Sequence, residues 1–477
     1  MNAGSVHKVF IGTTVALLLL SVTAAAYLQM PFLLLIPLIL AALFLWIQYP
    51  ALLFYSLLAT IPWSFEYQVN SSLATDLPDE PIMIVAAFVA IVLTTYNSGI
   101  RSKKYMHPVL ILLTVQLAWT IITVCTSTFP VISIKYLLAK SWYLLAFVIF
   151  PLFILNKKKV LKNGAVVLTV SMLVFMTVAL IKHGQYNWAF EDINRALSPV
   201  YRNHVTYSAL LVFIVPLLLA FIKTTTQPQQ KLLWIILSIT IIALFLSYSR
   251  GAWLAFILGL VSYTLIKKKL LVTAYIAVAV LIISSVIWLQ HKNKYLQFAH
   301  DYTSTIYHSN FSEHLVATYK MKDVSTAERY YRWIAGIRMG TDKWDVGFGP
   351  NTFYHNYKSY TIPAFKTWVS DNREHSTVHN YFLLVLVEQG VPGFVLFLLL
   401  VGVLFWYAQL IYHRTNDAFW KRTISTIASI LVMICTVNFL SDLVETDKVG
   451  SIFYLCIAVL IIADTQTKKI PGENKPT

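Results

Sequence analysis

The sequence predicts an all-α protein that crosses a membrane about twelve to fourteen times and carries one large loop outside the bilayer. Hydrophobic residues make up 58% of the 477-residue chain and charged residues only 12%, whereas a typical soluble domain has about 25% charged residues. Long apolar runs recur along the chain, and basic residues gather in the short loops between them. Such a chain cannot enclose its apolar surface in one aqueous core, so lipid must be its solvent.

The apolar runs come close to the roughly 20 residues that a spanning helix needs. We interpret the first run as an uncleaved helix, although Ala24–Ala26 resembles a signal-peptidase site, because the next run follows at once. Because two of the runs are clearly shorter than the required length, we predict a range of about twelve to fourteen spanning helices. The runs cover residues 9–29, 31–49, 51–63, 81–96, 106–125, 134–155, 164–182, 205–222, 231–247, 252–266, 270–290, 381–409, 423–440 and 449–464.

The placement of basic residues predicts the orientation in the membrane. With fourteen helices, every short basic loop falls on the same side, and cytoplasmic loops are the ones that carry excess Lys and Arg. We therefore expect a multi-pass membrane protein with both termini in the cytoplasm. The net charge of +16 then reflects topology rather than nucleic-acid binding. The basic positions are Arg101, Lys103, Lys104, Lys157, Lys158, Lys159, Lys162, Lys223, Lys231, Lys267, Lys268, Lys269, Arg414, Lys421, Arg422, Lys468 and Lys469.

This topology divides the chain into three parts. Residues 1–290 hold helices 1–11 with short loops, residues 291–380 form a large periplasmic loop, and residues 381–477 hold the last three helices and a cytoplasmic tail. The large loop is too long for a simple connector, so we expect it to be partly helical. Thr326–Met339 has helical spacing of apolar residues, and Gly347–Pro350 follows as a turn.

Cations on the outer side oppose the topology rule and therefore need a reason. Arg250 lies between two apolar runs with almost no loop, and an arginine fork suits phosphate oxygens. Arg202 and His204 lie just before the run 205–222, at a depth similar to that of Arg250. The alternative is that these residues have no role in binding. Arg250 then snorkels to lipid headgroups, and Arg202 and His204 belong to a juxtamembrane loop. Lys135 and Lys140 are weaker candidates because both can snorkel outward.

A histidine at a helix start offers the chemistry of a base. His379 is the last residue but one of the polar stretch 373–380, which immediately precedes an apolar run on the outer side. A neutral imidazole there can take a proton from a hydroxyl, although a local capping role is equally compatible with the sequence. The chain has neither a phosphate-binding Gly-rich loop nor metal-ligand spacing, and its three cysteines are scattered. A lipid-linked donor is therefore favoured over a metal-dependent nucleotide-sugar donor, and no cofactor is expected.

In order and spacing, these motifs resemble the O-antigen ligase and O-antigen polymerase superfamily. The resemblance covers roughly residues 180–400 by motif and the whole chain by topology. The last stretch should also break its helix, because it contains glycine and proline. The matching stretches are Arg202-Asn203-His204, Ser249-Arg250-Gly251-Ala252-Trp253, Arg332-Trp333 with Gly347-Phe348-Gly349-Pro350-Asn351, and His379-Asn380-Tyr381-Phe382-Leu383 with Glu388-Gln389-Gly390-Val391-Pro392-Gly393.

The resemblance implies a metal-independent glycosyltransferase of lipopolysaccharide biosynthesis, acting at the periplasmic face. Its donor is a glycan on undecaprenyl diphosphate, and its acceptor for a ligase is a hydroxyl of lipid A core. In this interpretation His379 is the base and Arg202 and Arg250 bind the diphosphate. Further candidates for donor or acceptor contacts are His204, Arg329, Arg332, His375 and Asn380.

Three alternatives stay open at the level of sequence. A polysaccharide polymerase and a protein O-oligosaccharyltransferase share the fold and motifs and differ in the acceptor. A polytopic transporter or lipid flippase belongs to another class. That class would show polar or helix-breaking residues near midmembrane and symmetry between halves. The clustering of polar motifs at one face, and the single large loop, favour the transferase.

Overall fold

A computed structural model of the chain describes residues 3–30, 33, 35–70, 73–96, 106–299, 324–367, 370–372 and 375–468. Its helices and strands are α1 (Ala3–Leu28), α2 (Leu35–Gln48), α3 (Pro50–Thr60), β1 (Phe65–Asn70), β2 (Leu73–Leu77), α4 (Asp79–Tyr96), α5 (Pro108–Cys125), α6 (Pro130–Leu144), α7 (Phe150–Ile154), α8 (Lys158–Gly184), α9 (Ile193–Leu197), α10 (His204–Ile222), α11 (Gln227–Leu246), α12 (Arg250–Lys267), α13 (Leu271–Gln290), α14 (Val324–Asp342), α15 (Phe353–Asn356), α16 (Tyr381–Arg414), α17 (Ala418–Phe439) and α18 (Asp447–Thr467). Leu145–Ile149 joins α6 to α7 as a π-helical turn, and short 3-10 turns cover Ile61–Trp63, Phe190–Asp192, His291–Phe298, Tyr357–Tyr360, Pro363–Phe365 and Leu443–Glu445.

The fold is that of a polytopic helical membrane protein, as the sequence predicts. Ten helices of the described chain are long and apolar enough to cross a membrane. Each of the fourteen predicted apolar runs coincides with a helix, although α6, the π-helical turn and α7 share one run. The basic positions Arg101, Lys103, Lys104 and Lys469 lie outside the described residues.

The helix α18 forms the centre of the bundle. It packs against α16, α17, α10 and α6, and most of its residues are buried on every side. A helix that is apolar all round is stable only when other helices or lipid surround it completely. In contrast, α13 exposes many large apolar side chains along its length, such as Leu281 and Ile287. Their exposure fits a helix that faces lipid.

One element was not predicted from the sequence. Between α3 and α4 the chain forms an antiparallel hairpin in which Phe65 pairs with Leu77 and Glu66 with Asp76. The register shifts between Gln68 and Asn70. A two-stranded hairpin is marginal alone, and this one continues directly into α4, whose first residue, Asp79, is fully buried.

The large loop lies at one end of the bundle, which we call the loop end. Its main helix, α14, spans Val324–Asp342 and confirms the helix predicted over Thr326–Met339. It packs along the first part of α16. Trp333 of α14 meets Phe439 at the end of α17 edge-on, with ring centroids 5.7 Å apart. The loop end is therefore a packed layer over the ends of α16 and α17.

Two glycine motifs of the sequence lock this layer to the bundle. The helix α16 breaks at Gly390, where φ is 68° and ψ is −174°, which confirms the predicted break. The amides of Phe348 and Gly349 donate to the carbonyls of Val387 and Glu388, both at 3.0 Å. A Cβ on Gly390 would lie 2.6 Å from the carbonyl oxygen of Asp345. These motifs are therefore structural: they dock the loop onto exposed backbone at the helix break.

At the opposite, far end of the bundle, one carboxylate joins three helices. Asp464 of α18 is fully buried, and His107, which caps α5, holds Nε2 3.3 Å from its Oδ2. Arg414, the last residue of α16, donates to Asp464 Oδ1 at 2.8 Å, and Lys468 lies 2.6 Å from Oδ2. A buried charge needs such partners, so this cluster fixes the relative positions of α5, α16 and α18.

Candidate functional site

The site begins with His379, which lies two residues before the first residue of α16 at the loop end. The side chain of Asn380 caps α16 by accepting the amide of Leu383 at 3.1 Å, and the amide of Tyr381 donates to the carbonyl of Ser441 at 2.9 Å. His379 itself has a φ of +53°, a conformation that non-glycine residues seldom adopt. The cap and the strained residue together turn the imidazole toward the segment after α17.

That segment supplies a carboxylate to the imidazole. Nδ1 of His379 lies 3.8 Å from Oδ1 of Asp442, an ion-pair distance, while Thr377 donates its hydroxyl to Oδ2 at 2.5 Å. Burial disfavours the charge on Asp442, but the contacts with His379 and Thr377 outweigh burial and hold the pKa of this carboxyl below its usual range. Because Nδ1 faces the carboxylate, Nε2 points away from it, and the side chain of His379 stays 36% exposed.

Asp442 was not among the functional residues predicted from the sequence. The available signal was weak: an acid in a short connector between two apolar runs. Its pairing with His379 depends on α16 and α17 ending at the same level, which spacing along the chain does not reveal.

Arg250 lies beside the same segment. It is the first residue of α12, which Ser249 precedes as the N-cap position, and α12 packs along α17. A Cβ on Gly251 would come 3.3 Å from Cδ1 of Leu440, two residues before Asp442. The first turn of α12 and the start of α16 therefore flank residues 440–442 together, so the structure brings the Arg250 segment and His379 to one place.

The Arg202 motif lies at the adjoining edge of the loop end. His204 is held by Asn194, whose Oδ1 accepts its amide at 2.9 Å and lies 3.0 Å from its Nδ1. Its ring faces Phe190 at 6.4 Å, and Phe190 faces Tyr248 at 5.3 Å. Tyr248 is two residues from Arg250, so this aromatic cluster connects the two motifs.

Arg202 itself is directed at the unpredicted hairpin. It forms an ion pair with Glu66 of β1, and its side chain is 73% exposed. An exposed ion pair contributes little to stability, so it can separate at small cost. The guanidinium is therefore available to a stronger anion that enters the loop end.

Arg332 has a different setting from the other arginines. Its side chain is 7% exposed, and Nη2 donates to Glu328 one helical turn away at 3.2 Å. Nη1 donates to the carbonyl of Thr377 at 3.3 Å, and Glu328 also accepts hydrogen bonds from Thr367 and Ser370. Arg332 therefore supports the backbone just before His379 rather than facing an open site. Its helical neighbour Arg329 is half-buried.

The remaining candidate, His375, is exposed and stacks on Tyr354, with ring centroids 4.0 Å apart and planes 14° from parallel. Like His379 it has a φ of +53°. The neighbouring Arg373 and Glu374, which belong to the same polar stretch of the sequence, lie outside the described residues.

A second charged pair lies deeper, beneath the start of α16. Lys140 of α6 is 3.5 Å from Glu445, which also accepts the hydroxyl of Tyr136 at 3.0 Å. The ammonium lies over the rings of Tyr381 and Tyr454 at 5.9 and 5.3 Å. The sequence suggested Lys140 only as a weak candidate, because the side chain could snorkel outward. Its acidic partner lies 305 positions away in the chain.

Residues 233–398 match the family model described as O-antigen ligase. The match begins within α11 and ends within α16, so it includes Arg250, the large loop and His379. This segment is therefore similar to the O-antigen ligase family, whose members are glycosyltransferase-like membrane enzymes that use lipid-linked glycans. Arg202, His204 and Asp442 lie outside the matched segment. No curated protein sequence matches the chain significantly.

Proposed function

We propose that this protein, in which residues 233–398 are similar to the O-antigen ligase family, transfers a glycan from undecaprenyl diphosphate to a hydroxyl of lipid A core. The observation that carries the proposal is the pairing of His379 with Asp442 beside the first turn of α12, where Arg250 lies. His379 and the segment that carries Arg250 thus lie at the same end of a multi-pass helical bundle. That is the arrangement that a glycosyl transfer from a lipid diphosphate needs.

The acceptor hydroxyl requires a base as it attacks the anomeric carbon. Nε2 of His379 takes the hydroxyl proton, and the new C–O bond forms as the bond from the anomeric carbon to the diphosphate oxygen breaks. Asp442 stabilises the imidazolium that results, in the way a carboxylate supports a catalytic histidine elsewhere. The reaction needs no further energy source, because the diphosphate is already a good leaving group.

The leaving diphosphate gains negative charge in the transition state, so cations aimed at it lower the barrier. Arg250 is suited to this role because its planar fork matches phosphate oxygens and because it begins a helix, whose N-terminus favours anions. Arg202 is the second cation, and it exchanges Glu66 for the diphosphate when the donor binds. The surrounding apolar helices supply the lipid-facing environment for the polyprenyl chain.

The orientation of the protein in the membrane follows from the distribution of basic residues between its two ends. Basic residues that the structure describes at the far end include Lys158, Arg414 and Arg422, and basic ends face the cytoplasm. The loop end is then periplasmic, with both termini on the cytoplasmic side of a bacterial inner membrane. A donor flipped outward by other machinery reaches His379 there.

A reconstituted transfer assay tests the proposal. Purified protein is mixed with glycan-loaded undecaprenyl diphosphate and lipid A core, with a chelator present, and products are separated by size. We expect glycan on lipid A core from the wild type, no product from His379→Ala, and a large loss from Arg250→Lys, which keeps the charge but not the fork.

Other outcomes would replace the proposal. A lengthened carrier-bound chain, formed with a second loaded carrier as acceptor, would identify a polymerase. Wild-type activity in His379→Ala would remove the base role. Absence of product with either acceptor, together with movement of loaded carrier across the bilayer, would identify a transporter.

A further inference from the structure

We infer that four aromatic rings beside His379 form a platform for the pyranose rings of the acceptor glycan. The rings of His375, Tyr354, His355 and Phe129 are called the ring platform. Their successive centroids are 4.0, 5.4 and 4.8 Å apart. The series leads from the segment just before His379 to the turn between α5 and α6. The inference rests on the proposed function, because it names where the acceptor of that reaction binds.

Three of the four rings are open to solvent, and Tyr354 is half-buried. His375 and His355 are exposed, and Phe129 is 38% exposed. Aromatic rings gain free energy when an apolar surface covers them. One face of a pyranose ring presents C–H groups, while its hydroxyls radiate around the rim. A sugar can therefore cover an exposed ring with its C–H face while its hydroxyls stay in water. An aliphatic ligand has no such polar rim.

Hydrogen bonds of neighbouring residues hold the platform in place. The side chain of Asn372 accepts the amide of Ser376 and donates to its carbonyl, both at 2.8 Å, and so closes the turn that carries His375. At the other end, the side-chain amide of Asn356 donates to the hydroxyl of Thr128 at 3.1 Å and ties α15 to the turn that carries Phe129. Rings fixed before binding lose little conformational entropy when a ligand arrives.

The backbone at His375 adds an independent observation. With a φ of +53°, this residue occupies the left-handed region, which is costly for a residue with a large side chain. Strained residues of this kind concentrate at functional sites. His379 has the same φ, so both histidines of one short segment are held in a strained conformation, one at the reacting position and one on the platform.

The position of the platform identifies its occupant as the acceptor rather than the donor. The helix α5, which precedes the turn with Phe129, packs against α16, whereas α12 packs mainly against α17 and to a smaller extent against α16. We therefore place His379, near the start of α16, between the platform and Arg250. In a direct displacement the nucleophile and the leaving group occupy opposite sides of the anomeric carbon. The diphosphate lies on the Arg250 side, and the acceptor therefore enters from the platform side.

The test measures sugar binding without the donor, and then transfer with it. Saturation-transfer NMR on protein in nanodiscs uses two probes: core oligosaccharide freed from lipid A, and the repeat-unit oligosaccharide freed from its carrier. We expect binding of one probe, weakened roughly two- to tenfold by His375→Ala or His355→Ala. His375→Tyr keeps a ring and should retain binding, which separates stacking from proton chemistry. The matched control is Trp344→Ala, an exposed aromatic residue of the same loop outside the platform.

The probe that binds identifies the source of the acceptor sugar, core or repeat unit. In the transfer assay the alanine variants should raise the KM for the acceptor and leave the KM for the donor unchanged. Active wild type with an unchanged acceptor KM in both alanine variants would overturn the platform and leave the proposed function standing. Ring-dependent sugar binding by a protein that transfers nothing would support the platform and overturn the proposed function.

Discussion

The Nδ1 atom of His379 lies 3.8 Å from a carboxylate oxygen of Asp442, although 63 positions separate the two residues in the chain. The pair forms because α16 begins and α17 ends at the same level, and the amide of Tyr381 bonds the carbonyl of Ser441. Asp442 is held in turn by Thr377. The histidine thus has a fixed orientation, with Nε2 directed away from the carboxylate.

Asp442→Asn should lower kcat by roughly 10²- to 10⁴-fold. The amide keeps the shape of the side chain, but it cannot stabilise the imidazolium that forms when His379 takes a proton. The KM for donor and acceptor should change little. Steady-state kinetics of the reconstituted reaction measure both constants. Asp417→Asn, at an exposed ion pair of the far end, serves as the control, and equal kcat values in the two variants would contradict the pairing role.

Removing the charge of Arg202 should weaken donor binding with little effect on stability, whereas removing the charge of Arg332 should reduce stability. Arg202→Gln should change stability by less than about 1 kcal/mol, because its ion pair with Glu66 is exposed, and it should raise the KM for the donor. Arg332→Met should destabilise the protein by about 3–5 kcal/mol, because it leaves Glu328 buried without its cation. Thermal unfolding in detergent compares the two variants.

The interpretation of Arg332 has its own check. The double variant Glu328→Gln/Arg332→Met should recover part of the stability lost in Arg332→Met, since no unpaired charge then remains buried. If the double variant unfolds as early as the sum of the single losses predicts, the two residues do not act as a pair.

Gly390→Ala should release the large loop from α16. The position has a φ of +68°, and an added Cβ would lie 2.6 Å from the carbonyl oxygen of Asp345, so we expect a loss of more than about 2 kcal/mol. Limited proteolysis should cut residues 343–353 faster than in the wild type. Gly12→Ala is the control, because a Cβ there meets no atom within 4 Å. Unchanged protection in Gly390→Ala would show that the loop is held elsewhere.

The hairpin should make stability depend on pH. Burial, with Asp447 and Glu80 nearby, raises the pKa of Asp76 from 3.8 to about 7, although Lys448 opposes the shift. The folded state therefore holds this proton more tightly than the unfolded chain, and the resulting stability is present below pH 4 and lost as pH rises through about 7.

The corresponding measurement is the unfolding temperature of wild type and Asp76→Asn at pH 5 and pH 8. Asp76→Asn imitates the protonated side chain, so its advantage over the wild type should be larger at pH 8. Asp417→Asn should instead be destabilising by nearly the same amount at both pH values, because the hydrogen bond from Lys158 lowers the pKa of Asp417 and the carboxyl is already charged at pH 5. A pH-independent difference for Asp76→Asn would mean that its carboxyl titrates normally.

The membrane fold could be predicted from the sequence because hydropathy is a local property. A run of about 20 apolar residues has few alternatives to a spanning helix in lipid, since its backbone groups must pair within the segment. The helix over Thr326–Met339 and the break at Gly390 were predicted for similarly local reasons, namely helical periodicity and the presence of glycine and proline. His379 and Arg250 were recognisable because each is a polar residue at the end of an apolar run.

The tertiary structure alone decided which of these residues meet. Asp442, the hairpin that binds Arg202, the burial of Arg332 and the ring platform all depend on contacts between segments far apart in the chain. The hairpin has polar, weakly alternating strands that resemble a connector, so no periodic signal marks it. Local sequence determines that a helix forms and where it ends, whereas side-chain partners depend on how helix ends align in three dimensions, which packing of the whole bundle sets.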